Sequence, residues 1–92
     1  MNPAVICLAQ AARTCLKRNP PELPNGAQVA LGQFGQVVLA FRGPGVSQPF
    51  VTWETDLDGS AYWGHYHATL EAACADYAKR AGRYGRLSVE ND

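Results

Sequence analysis

Residues 50–67 read FVTWETDLDGSAYWGHYH, and this stretch decides the fold. Two segments rich in β-branched and aromatic residues, Phe50 to Asp56 and Ala61 to His67, flank Asp58-Gly59. An Asp-Gly pair between such segments predicts a two-residue β-hairpin turn, because a type I′ turn needs positive φ at both central positions. The stretch also holds both tryptophans, both histidines and three acidic residues, Glu54, Asp56 and Asp58.

Upstream lies Gln36 to Arg42, with Val37, Leu39 and Phe41 alternating onto one face, and before it Ala27 to Leu31. Gly32 to Gly35 supplies the turn between these two strands, and Gly43-Pro44-Gly45 opens the loop that returns to Phe50. Residues 3–18 form a helix with Val5, Leu8, Ala12, Cys15 and Leu16 as its apolar stripe. Asn2 is its cap and Pro3 its first residue. Pro20 and Pro21 stop it, and NPPELPNG (19–26) is a stiff, extended crossing. Thr69 caps a second helix from Leu70 to about Gly82, with Leu70, Ala73, Cys74, Tyr77 and Ala81 inward and Asp76 four residues before Arg80. Gly82 or Gly85 ends it.

The order is α-β-β-β-β-α. Short connections imply an α+β fold, a four-stranded antiparallel meander sheet with two helices packed on one face, in a single domain over residues 1–92. A two-residue loop would place Trp53 opposite Gly64 and Val51 opposite Tyr66. That apolar set, with Val29, Leu31, Val37, Leu39 and Phe41, is expected beneath the helices. The other face would carry Val38, Ala40, Thr52, Glu54, Asp56, Trp63, His65 and His67 toward water. A one-residue slip exchanges the two sets.

Composition narrows the function. The formal net charge is zero and 17% of residues are charged, so no global field draws the chain to nucleic acid or membrane. Between Gly43 and Ala78, however, the Asp and Glu residues are met by no Lys or Arg. Three cysteines, Cys7, Cys15 and Cys74, give no disulfide framework and read as small core residues of a cytoplasmic protein. No stretch has the length of a membrane span. Glu54, Asp56 and Asp58 lie at an exposed hairpin end, where nothing raises a carboxyl pKa for acid–base work. His65 and His67 share a strand face, and a third metal ligand would have to come from Glu54 or Asp56 across the hairpin, a pattern chance produces easily. The glycine-rich turns join strand to strand and are not phosphate cradles. A non-enzymatic protein without cofactor or metal is expected.

Two resemblances add to this reading. The helix–sheet–helix order resembles the double-stranded-RNA-binding domain in topology. That family grips phosphate from the start of its last helix, where this chain has Leu70-Glu71-Ala72-Ala73. More specifically, Phe50-Val51-Thr52-Trp53, Asp58-Gly59, Tyr62-Trp63-Gly64-His65-Tyr66, Leu70-Glu71, Ala73, Asp76-Tyr77 and Arg80 resemble a pattern found in small proteins of phages, plasmids and integrative elements. Anti-CRISPR proteins are the best-populated class of such short, enzymatically empty chains. The resemblance implies stoichiometric blocking of a host defence protein with a basic surface, a CRISPR effector. Glu54, Asp56 and Asp58 are then the expected charge contacts, with Trp63 and His65 as further contacts. Two alternatives remain. One is a homodimer through Val38, Ala40 and Trp63. The other is a nucleic-acid-binding module using Arg80, Arg83 and Arg86.

Overall fold

The computed structural model describes residues 3–89, with side chains through residue 82. Helix α1 spans Pro3–Leu16, followed by strands β1 (Gln28–Gly32), β2 (Val37–Phe41), β3 (Phe50–Thr55) and β4 (Ala61–His67), then helix α2 (Leu70–Val89). The strands form one antiparallel sheet in the order β1-β2-β3-β4. The expected α+β meander is thus what the chain adopts. Asn2 lies outside the described residues.

Helix α1 ends at Leu16, two residues short of the expected 18, and Asn19 then takes a left-handed φ of 55° ahead of Pro20 and Pro21. Thr69 Oγ1 accepts the Ala72 amide at 3.2 Å and so caps α2. Contrary to expectation, α2 does not stop at Gly82 or Gly85 but runs on to Val89. Arg13 of α1 pairs with Glu71 in the first turn of α2 at 2.5 Å, tying the helices together. The helix's own N-terminal amide and then Arg13 hold the Glu71 carboxyl below the usual range.

The two helices cover one sheet face. Val5, Ala9 and Ala12 of α1 and Leu70, Ala73 and Cys74 of α2 close over Ala30 and Leu39, with Leu31, Phe50 and Tyr77 packed alongside. Burial pushes the Cys74 thiol and the Tyr77 hydroxyl up from their ordinary pKa values. Cys7, expected in the core, is exposed on the outer side of α1.

The opposite face is not open. Leu23, Ala27, Val29, Val38, Ala40, Val51 and Trp53 form a second core there, with Phe34 and Ala61 packed against it. The proline-rich segment supplies the cover. It is not simply extended: Leu23 N–H donates to Ala27 O (2.9 Å) and Gly26 N–H to Leu23 O (2.8 Å), a tight turn with Gly26 at φ 90°. Val29 N–H donates to Pro21 O, and Glu22 bridges Gln28, so this turn also shields the outer edge of β1.

The expected sides of β3 and β4 are therefore reversed. Leu39 pairs with Thr52, Val38 with Trp53 and Ala40 with Val51. Directly opposed residues share a face, so Trp53 and Val51 lie with Val38 and Ala40, away from the helices. The error was in the β2–β3 register, which the long Arg42–Pro49 connection does not fix. Val29 joins the same side because a bulge between Val29 and Leu31 shifts β1.

Candidate functional site

The hairpin tip departs from a two-residue turn. Gly59 N–H donates to Asp56 O (2.9 Å) and Asp56 N–H to Ser60 O (3.0 Å), so Leu57, Asp58 and Gly59 make a three-residue loop. Gly59 is left-handed at φ 88°, the form in which a type I turn is followed by a bulge glycine. Asp58 Oδ1 accepts the Ser60 amide at 2.9 Å. That bond, from the Ser60 backbone first and its side chain second, lowers the Asp58 pKa.

The longer loop sets Thr55 opposite Ala61 and Glu54 opposite Tyr62. Farther down, Thr52 faces His65, Val51 faces Tyr66 and Phe50 faces His67. One residue of slip is absorbed between these sets, where Trp63 and Gly64 stand against Trp53 alone. This bulge turns Trp63 to φ 56°, a left-handed conformation costly for a bulky residue. Gly64 is required beside it, since a Cβ there would lie 2.6 Å from Trp53 Nε1.

The two indoles have opposite fates. Trp53 is 8% exposed in the second core, edge-on to Tyr66 at 6.2 Å. Trp63 is 69% exposed and stands perpendicular to Tyr62, ring centres 5.0 Å apart. Leu57 at the loop is 85% exposed. Tyr62 Oη donates to Asp56 Oδ1 at 2.8 Å.

The bulge is held from the helix side by Arg80, which is 5% exposed. Its Nη1 donates to Thr52 O and Thr52 Oγ1, both at 2.9 Å, while Nη2 donates to Trp63 O at 2.9 Å and reaches Glu54 Oε2 at 3.4 Å. Asp76, one turn earlier, gathers three groups on one oxygen. Thr52 Oγ1 donates to Oδ2 at 2.5 Å, and His65 Nδ1 and His67 Nε2 lie 2.9 and 3.3 Å from it. A carboxylate only accepts, so each imidazole presents N–H there. Partial burial alone would raise the Asp76 pKa, but the bonds from Thr52, His65 and His67 outweigh it and the pKa is lowered.

The structure therefore redistributes the sequence-derived contact residues. Asp56, Asp58 and Trp63 are all exposed, and Tyr62 links two of them, its ring against Trp63 and its hydroxyl on Asp56. Glu54 and His65 instead face α2, one paired with Arg80 and the other with Asp76. Arg80 and Asp76 do not pair with each other as their spacing implied, because each meets a polar strand residue first. Sequence reasoning missed Arg80 as a buried residue. The available signal was the string of polar residues Thr52, Glu54, His65 and His67 on one side of the hairpin, which pair with the helix rather than with water.

The structure also removes residues from both alternative surfaces. Val38 and Ala40 are fully buried, so they offer nothing to a second copy. Arg80 is consumed by internal acceptors and cannot serve nucleic acid, while the side chains of Arg83 and Arg86 lie outside the described set. Among the described residues no group of three or more His, Cys, Asp or Glu is placed to hold a metal, and no helix is long and apolar enough to cross a membrane. Comparison with protein-family models, curated proteins and solved structures finds no match.

Proposed function

We propose that the protein acts without catalysis, as an inhibitor that occupies a basic surface of a host protein through the tip of the β3–β4 hairpin. The observation that carries this reading is Trp63: a large aromatic, mostly in solvent, kept in a left-handed backbone conformation by a buried arginine. A bulge alone is served more cheaply by glycine or asparagine at that position. Strained, exposed residues fixed by their surroundings recur at binding sites, and tryptophan is enriched among residues that dominate interface energy. Asp56 and Asp58 supply the charge complementarity. Glu54 and His65 support the surface from behind.

The resemblance of the hairpin-and-helix half to mobile-element proteins makes a CRISPR effector the first partner to test. Wild-type protein expressed in cells under CRISPR interference should restore plasmid or phage survival. The double reversal Asp56→Lys with Asp58→Lys should lower that protection at least about tenfold, since like charges across an interface cost several kcal/mol, while thermal unfolding stays near wild type. Full protection by the double variant would remove the acidic-tip mechanism. Absence of protection against every effector type would remove the CRISPR assignment.

A further inference from the structure

The following rests on the reading that the hairpin tip is a contact surface, and it specifies what the tip receives. We infer that the tip accepts an arginine side chain of the partner, its guanidinium stacked on the exposed indole of Trp63 and turned toward the carboxylate of Asp56.

Four observations lead there. First, the site joins the two groups a guanidinium uses at once: an aromatic face and an acceptor pair. Trp63 is 69% exposed, and the Tyr62 hydroxyl orients the Asp56 carboxylate through one of its oxygens at 2.8 Å. Second, the buried arginine at the bulge does not satisfy Asp56: Arg80 is committed to Thr52, Glu54 and the Trp63 carbonyl. Third, the chain already seats an arginine on an aromatic ring of β4: Arg42, just past β2, places its guanidinium carbon 4.8 Å from the ring centre of Tyr66. Fourth, the bulge interrupts the ladder of β4, the edge strand, so a partner strand cannot simply extend the sheet past Trp63. Contact must then run through side chains.

A guanidinium fits better than an ammonium. It is planar, weakly hydrated and able to stack while donating in its own plane, whereas a lysine ammonium holds its water more tightly and meets the acid as a point charge. The exposed Leu57 and Asp58 border the same end of the hairpin and add apolar contact and a second negative charge.

The test uses three capped peptides of equal length with arginine, lysine or citrulline alternating with glycine. They are titrated against the full chain while the two indole N–H signals are followed by NMR. Loss of one signal in Trp63→Asn assigns them. The arginine peptide should shift the Trp63 signal and leave Trp53 in place. Its affinity should exceed that of the lysine peptide about three- to fivefold, the range a stacked cation adds at an exposed site. Citrulline should bind least, and Asp56→Asn should erase the arginine preference. Equal affinities for the arginine and lysine peptides would overturn the inference, as would a shift at Trp53 alone or no shift at all. If the peptides fail but Trp63→Asn still abolishes inhibition in cells, only the arginine assignment falls. If Trp63→Asn inhibits like wild type, the contact surface itself is wrong.

Discussion

Trp63 and Gly64 form a pair in which each residue departs from ordinary strand behaviour for a different reason. Trp63 accepts backbone strain in return for display, whereas Gly64 gives up a side chain so that Trp53 can pack. The two substitutions should therefore separate. Trp63→Asn puts a residue that tolerates left-handed φ into the bulge. Its denaturant midpoint should match or exceed that of wild type, by up to about 1 kcal/mol in stability, while partner binding is lost. Gly64→Ala pushes a methyl group into the Trp53 indole and should destabilise by about 1–3 kcal/mol, read from the same denaturation curves. If Trp63→Asn unfolded the protein, the indole would be structural and not a contact. The same pair shows why part of the site was legible. Glycine beside tryptophan in YWGHY marked close packing, but no residue in that string announces positive φ at a tryptophan.

At the scale of elements, α2 and the hairpin meet through a polar interface at their centre. Asp76 and Arg80 lie one turn apart and reach Thr52, Glu54, His65, His67 and the Trp63 carbonyl. Arg80→Met keeps much of the bulk but removes the donor to the Thr52 and Trp63 carbonyls. It should cost about 1–3 kcal/mol, the range for leaving buried acceptors unsatisfied. Arg80→Lys should not restore it, since one ammonium cannot span acceptors on two strands. Chemical denaturation of the three proteins checks both statements. This interface also explains the inverted faces of β3 and β4. A strand face bearing Thr, Glu and His reads as solvent-facing whenever helices are expected to offer only apolar stripes, and α2 offers a carboxylate and a guanidinium instead. The apolar periodicity located the helix starts and β4 correctly. The polar half of α2's inward face had no such periodic signal.

For the whole molecule, the consequence is a dependence of folding on acid. Asp76 is ionised more readily in the native state than in the unfolded chain, where an ordinary aspartate titrates near pH 4. Its contribution is complete above that ordinary value. As pH falls through the lowered native value, the unfolded chain takes up the proton first and stability declines. Thermal unfolding between about pH 5 and pH 2 should show a loss that is shallower in Asp76→Asn. Identical slopes would mean that the Asp76 cluster does not contribute. The order of elements, the single sheet and the packing of both helices on one of its faces were readable, but not which side β3 and β4 turn toward them. The cover on the second face was not, because Leu23 is a lone apolar residue among prolines, with no period to reveal it.

The three-residue loop and the bulge are each one residue long and opposite in effect. Beyond Thr52 and His65 the hairpin runs in the same phase that a plain Asp-Gly turn would set. Sliding the tip of β4 by a single position would thus leave the lower sheet undisturbed, while bringing Trp63 opposite Glu54 and onto the side of Arg80. The grip of Arg80 on the Trp63 carbonyl is the latch that keeps this sliding tooth out.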